Sequence, residues 1–205
     1  MTLDYAAALS RARHLAATGR RLLGLAGMPG SGKSILAQRL VQDLNGLAVC
    51  VPLDGFHLTN VELDRLGRRQ RKGAPETFNA ACYYHLLSCL RRQRPDELIT
   101  APAFDRVREE TAAAAITVPA GAPLIITEGN YLLLPGRDFG RVVDLLDEAW
   151  YVDCPEPERV RRLIARHEAF GKTPAEASRW ALGSDQDNAE LIGSHRQRAD
   201  HTVCA

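Results

Sequence analysis

A chain of 205 residues, 45% hydrophobic and 25% charged, is long enough for one α/β domain with a real core and short for two. Its net charge of +1 gives no reason to expect a polyanionic partner such as nucleic acid. The five cysteines, Cys50, Cys82, Cys89, Cys154 and Cys204, are odd in number and include no Cys-x-x-Cys pair. They argue against a disulfide framework or a zinc site and suit a reducing, cytoplasmic compartment, and no apolar run approaches the length of a membrane span.

Residues 1–19 place Leu3, Ala7, Ala8, Ala12 and Leu15 as an amphipathic helix lying against the domain, with Asp4 near the start and no signal-type apolar region. Residues 22–26 are short and apolar, as a buried strand should be, and 35–44 carry Ile35, Leu36, Leu40, Val41 and Leu44 at helical spacing. Between them, Gly27-Met28-Pro29-Gly30-Ser31-Gly32-Lys33-Ser34 fits G-x-x-x-x-G-K-[ST], in the strand-to-helix context that motif requires. Residues 47–53 predict a second buried strand that ends at Asp54-Gly55, and a basic stretch follows over 65–72. A helix is expected over 79–91, capped by Asn79. Residues 98–101 and 115–118 are short enough to pair as an edge hairpin, and 123–127 form the clearest later core strand, ending at Glu128-Gly129. Helix is expected over 139–146 and strand over 149–152, then a charged helix over 156–170, another over 174–182, a short one beginning at Ala189, and a last strand over 201–204. Strands alternating with helices imply a mostly parallel, five-stranded sheet with helices on both faces, the three-layer α/β sandwich of P-loop NTPases. The whole chain, 1–205, is expected to be one such domain, with 1–19 as an N-terminal helix and 156–171 as a small helical lid.

Ligands of such sheets bind beyond the carboxyl ends of the strands. The run Gly27, Met28, Pro29, Gly30, Ser31, Gly32, Lys33, Ser34 and Ile35 is therefore expected to bind the nucleotide. Its glycines let the backbone approach an anion, its N–H groups form a nest for α- and β-phosphates, Lys33 adds charge near the β- and γ-phosphates, and Ser34 can ligate Mg²⁺. Asp54 ends the second strand, beside the strand that feeds this loop, where a carboxylate can take the proton of an attacking alcohol. The plainer alternative is a turn Asp bonded to its own backbone. Glu128 holds a Walker-B-like position and could reach Mg²⁺ through water; its alternative is a capping or salt-bridged carboxylate. Arg159, Arg161, Arg162, Arg166 and His167 crowd one helix, and Arg162 and Arg166, four apart, share a face. That row suits a lid closing on a transferring phosphate; the alternative is a solvated face paired with Glu156, Glu158 and Glu168.

Taken together, these residues resemble the phosphoribulokinase, uridine kinase and bacterial pantothenate kinase superfamily of P-loop kinases, over about 22–200. The resemblance is carried by the run 27–34, Pro52-Leu53-Asp54-Gly55-Phe56-His57, the segment 72–78, Ala101-Pro102-Ala103-Phe104-Asp105-Arg106, Thr127-Glu128-Gly129-Asn130-Tyr131, Arg162-Leu163-Ile164-Ala165-Arg166-His167, and Asn188 with Arg196-Gln197-Arg198-Ala199-Asp200. Lys72–Phe78 and the Arg-x-Arg-Ala-Asp ending are similar to pantothenate kinase, and Pro-x-aromatic-Asp is nearer to uridine kinase. The closest likeness is to a bacterial nucleoside kinase-like subgroup linked to fructose uptake. The resemblance implies ATP and Mg²⁺ as cofactors, Asp54 as base, Arg162 and Arg166 on the lid, and Asn188 and Arg196 near the adenine. It also implies that His57, Lys72, Phe78, Phe104, Asp105, Arg106 and Tyr131 face the phosphate acceptor. Two departures stand out. Asn79 replaces the family's usual Asp, and Asp105-Arg106-Val107-Arg108 lacks the histidine that uridine kinases place after the aromatic-Asp pair. The expected function is an ATP-dependent kinase acting on a hydroxyl of a small metabolite (a nucleoside, a pantothenate-like compound or a sugar), with no nucleic-acid or membrane partner and the homodimeric state left open. The competing reading is a P-loop ATPase or switch without a small-molecule acceptor, although no Asn-Lys-x-Asp guanine reader occurs.

Overall fold

The computed structural model describes residues 1–105, 107–136 and 139–204. In chain order they form β1 (Thr2–Leu3), α1 (Tyr5–Ala17), β2 (Arg21–Ala26), α2 (Lys33–Asp43), β3 (Ala48–Pro52), α3 (Asn60–Arg65), α4 (Ala80–Arg91), β4 (Ile99–Asp105), β5 (Glu110–Val118), β6 (Leu124–Gly129), β7 (Glu148–Asp153), α5 (Glu156–Ala169), α6 (Pro174–Leu182), α7 (Ser184–Gly193) and β8 (His201–Cys204). The central sheet runs β1-β8-β7-β2-β6-β3 and every pairing in it is parallel.

The inner strands are apolar at successive positions because both of their faces are covered. In β2, Leu22 and Ala26 enter one core while Leu23 and Leu25 enter the other. Tyr83, Leu87 and Leu90 of α4 fill the first; Ala8, Ala12 and Leu15 of α1 and Leu36 and Leu40 of α2 fill the second. One buried polar chain crosses the first core. Thr127 Oγ1 donates to the Val51 carbonyl at 2.6 Å, so its own oxygen accepts from the Tyr83 hydroxyl, also at 2.6 Å. That chain ties α4, β6 and β3 together one residue before Glu128.

Several expectations change. The sheet has six strands rather than five, because Thr2–Leu3 adds an edge pair with β8. The N-terminal helix correspondingly starts only after Asp4, whose carboxylate accepts from the Ala7 N–H at 2.8 Å. β3 lies beside β6, not beside β2, so Asp54 is one strand further from the phosphate loop than expected. The expected hairpin is longer, and β4 and β5 form a separate antiparallel sheet with no ladder to the central one. Its register shifts between Ala101 and Ala103, around Pro102, which has no N–H to donate. Among the described residues of 139–146 the only helical structure is the 3₁₀ turn Val143–Leu145. So short a run cannot offset helix nucleation, and Phe139 and Val142 insert into the first core instead. Finally, α7 begins at Ser184, five residues before Ala189.

Candidate active site

The buried strand β2 delivers the chain into the phosphate loop at the carboxyl edge of the sheet. Gly30 and Gly32 have φ of 79° and 96°, in the left-handed region that strains other residues. Gly32 is also the N-cap of α2 and supplies no side-chain cap. The first N–H groups of that helix lie at the positive end of its dipole, where an anion is favoured. Ser31 Oγ, buried beneath the loop, has no hydrogen-bond partner among the described residues. This is the cradle that polyphosphate fits. Lys33 is buried, and its ammonium donates to the Met28 carbonyl at 3.2 Å, across the loop it would neutralise. Ser34 Oγ donates to Glu128 Oε1 at 2.8 Å. Glu128 reaches that position because β6 pairs in register with β2, Leu25 opposite Glu128. Ser34 and Glu128 are hard oxygen donors of the kind Mg²⁺ selects. Among the described residues no group of three or more His, Cys, Asp or Glu is placed to hold a metal by itself, so the ion's other ligands would be phosphate and water.

Asp54 sits in a 3₁₀ turn, Leu53–Phe56, that continues β3. A Cβ at Gly55 would lie 2.3 Å from the Pro102 carbonyl oxygen, so only glycine lets the hairpin backbone press against this turn. His57 Nδ1 lies 2.8 Å from the Asp54 carbonyl; a carbonyl only accepts, so Nδ1 carries the proton. The His57 ring packs between Phe78 at 4.0 Å and Phe104 at 4.8 Å, centroid to centroid. Lys72 Nζ stands 5.1 Å from the Phe104 centroid.

These groups line one cavity of about 740 Å³. Lys33, Ser34, Glu128 and Asp54 line it, as do His57, Lys72, Phe78 and Phe104. Arg166, His167 and Asn188, from α5 and α7, also line it. His167 Nε2 meets Asp185 Oδ2 at 2.6 Å and joins the two helices.

Other expected positions fall elsewhere. Arg162 is held by Glu158, Nε to Oε1 at 2.9 Å, and does not line the cavity; with Arg161 it pulls the Glu158 carboxyl down to about 2. The Tyr131 hydroxyl donates to the Gly73 carbonyl while its ring packs on Phe78 and Phe139, so it braces the Lys72–Phe78 segment from inside the core. Burial pushes that phenol up. Asp105 Oδ1 accepts from the Arg108 and Val107 N–H groups at 3.1 and 2.9 Å, closing the β4–β5 turn and lowering its own pKa. Arg196 lies 3.7 Å from Asp153 and over the Tyr151 ring, outside the large cavity, and Ile35 is exposed. Arg106 is outside the described residues.

Sequence reasoning missed Arg159 as a distinct feature. It is only 1% exposed, bonds Gln186 of α7, and packs its backbone against the phosphate loop, where a Gly30 Cβ would meet the Arg159 carbonyl at 2.8 Å. Arg159 and Leu163 are the buried pair of α5, four residues apart. That spacing was the available signal. Asp185 was missed because the helix carrying it was started too late.

The family model described as an AAA domain matches residues 22–192. "Uncharacterized protein YggC" of Escherichia coli (strain K12) is 33% identical over 189 residues, covering 90% of this chain and 77% of that protein. "Putative uridine kinase C227.14" of Schizosaccharomyces pombe is 34% identical over 161 residues, 74% and 68% of the two chains. Among solved structures, a "putative fructose transport system kinase" from Silicibacter sp. TM1040 superposes with a TM-score of 0.81 at 36% identity, over 90% of this chain and 89% of that one. Among the described residues no helix is long and apolar enough to cross a membrane.

Proposed function

The chain belongs to the P-loop kinases of the phosphoribulokinase, uridine kinase and pantothenate kinase superfamily, which use ATP and Mg²⁺, and on that premise we propose that it transfers the γ-phosphate of ATP to a hydroxyl of a small metabolite. One observation carries this reading. A phosphate loop with its Ser34–Glu128 pair and a second carboxylate, Asp54, open onto one cavity but stand on different strands. A machine that only hydrolyses ATP needs no walled space beyond the terminal phosphate. Here that space has an aromatic lining of His57, Phe78 and Phe104.

In this mechanism the loop N–H groups and Lys33 bind the polyphosphate, and Ser34 and Glu128 would hold Mg²⁺. The metal, when bound, neutralises charge on the β- and γ-phosphate oxygens. Asp54 accepts the proton from the acceptor hydroxyl as its oxygen bonds to the γ-phosphorus, the bond from that phosphorus to the β,γ-bridging oxygen breaks and the oxygen leaves on ADP, and Arg166 offsets the charge of the phosphoryl group in flight. Arg162 joins it only on leaving Glu158. Residues 156–171 form the lid, and Asn188, which lines the cavity, lies on the side of the base. The test is ATP turnover with and without small alcohols. Slow ADP release alone, accelerated by one class of alcohol with appearance of its phosphate ester, is expected. Fast release that no alcohol changes and that yields only inorganic phosphate would favour the ATPase reading.

A further inference from the structure

We propose that the acceptor alcohol carries an anionic oxyacid group, a carboxylate or a phosphate, and that the Lys72 ammonium binds it at the wall of the cavity. The inference rests on the kinase reading and specifies its substrate class. Lys72 is a half-buried cation facing the cavity, and its nearest partners are neutral: Asn60 Oδ1 at 2.6 Å and the Glu109 carbonyl at 2.5 Å. The Phe104 ring covers one side of it. The neighbouring cations Arg69 and Arg71 line the same cavity but are ion-paired, Arg71 with Glu76 at 2.9 Å and Arg69 with Asp64 at 3.5 Å. Of the nearby acids, Glu110 accepts from the Asn60 N–H at 3.2 Å, and Glu109 is an exposed residue of the cavity lining. The ammonium is taken partly out of water and its hydrogen bonds go to neutral oxygens, with Glu109 and Glu110 acting on it only through space, so an incoming anion would supply a direct counter-charge. Burial holds the ammonium below its usual range, Glu109 and Glu110 opposing that shift and Arg69 adding to it.

The position suits the far end of an acceptor. From Asp54 the wall runs through His57, then Phe104, to Lys72, each in contact with the next. A hydroxyl at Asp54 and an anionic group at Lys72 therefore require a short spacer lying along the aromatic faces of His57 and Phe104. A neutral polyol would leave the ammonium without a direct counter-charge.

The experiment uses the full chain with Mg-ATP and matched alcohols: glycerate against glycerol, and ribose 5-phosphate against ribose. The anionic member of at least one pair should show a KM lower by about tenfold or more, and which pair responds separates carboxylate from phosphate. Lys72→Gln should abolish that preference through the acceptor KM, leave the KM for ATP unchanged, and be rescued by Lys72→Arg. Asn60→Asp, which places a carboxylate against the intact ammonium, should weaken the anionic acceptor in the same way and keeps the test open if Lys72→Gln folds poorly. Preference for the neutral members, or equal losses for both members in the variants, would overturn the inference and leave phosphoryl transfer standing. Acceleration only by a neutral alcohol outside these four would also overturn the inference alone, and ATP turnover that no alcohol changes would overturn both.

Discussion

Replacing Asp54 by Asn separates chemistry from architecture. The backbone seat of Asp54 is held by the approach of the Pro102 carbonyl to Gly55 and by the proton on His57 Nδ1 given to the Asp54 carbonyl, and Asn keeps the shape of the Asp side chain. The variant should therefore stay folded, with a stability change of about 1 kcal/mol or less, which is a melting shift of roughly 2–4 °C for a chain of this size. The nucleotide end of the cavity, built from Gly30, Gly32, Lys33 and Ser34, is untouched, so ATP affinity should survive. The proton acceptor is lost. General-base catalysis contributes ~10²–10⁴-fold in rate, equivalent to about 3–5 kcal/mol of barrier. Turnover on the true acceptor should fall on that scale, read as coupled ADP release, while isothermal titration shows ATP binding within a few-fold of the parent. Turnover within a few-fold of the parent would refute the assignment and leave Glu128, or proton loss to the phosphate itself, as the base.

Ser34→Ala and Glu128→Gln should behave differently from Asp54→Asn, with losses that shrink as Mg²⁺ is raised in steady-state assays, because their proposed partner is the metal. α5 buries little beyond Arg159 and Leu163, so amides of α5 and α6 should exchange rapidly in the free protein and slow with ATP and acceptor, as hydrogen–deuterium exchange would report. Asp147 accepts from the Leu22 N–H at 2.9 Å, Arg91 at 2.9 Å and Arg21 at 2.8 Å; burial pushes its carboxyl up, but these donors outweigh it and hold it low. A carboxyl lowered on folding adds stability that is present above its unfolded pKa near ~4 and lost as the pH falls through the folded value. Asp147→Asn should cost ~1–2 kcal/mol at pH 7, its arginine partners being more than a third exposed, and its urea midpoint should fall less than the parent's between pH 7 and pH 3.

The strands that carry chemistry were legible because local pattern and tertiary role agree there. Residues 22–26 are apolar at every position, and both faces of β2 are covered. The motif from Gly27 to Ser34 needed only backbone conformation and a helix start to become a site. Contacts made across the chain were not legible. Tyr131 follows Glu128 closely enough to suggest the acceptor, but its partner, the Gly73 carbonyl, lies 58 residues away and turns it inward. Asp105 sat in a sequence that resembled a binding segment, yet the N–H groups two and three residues on claimed its oxygen first. The local pairing was legible as an alternative: Arg162 and Arg166 share a helical face, and Glu158, four residues before Arg162, takes the first of them.

The two halves of the site differ in how freely they can change over evolutionary time. The phosphate end is built on strands locked into one continuous ladder, where a shift of register would carry Ser34, Glu128 and the core out of place together. The hairpin β4–β5, which brings Phe104 to the wall, shares no ladder with that sheet and meets it through the turn around Gly55. Substitutions and length changes in the hairpin can therefore re-dimension the acceptor side while the donor side stays as it is. Paralogues of this architecture should diverge first in the hairpin and in the segment carrying Lys72, and last in the loop from Gly27 to Ser34.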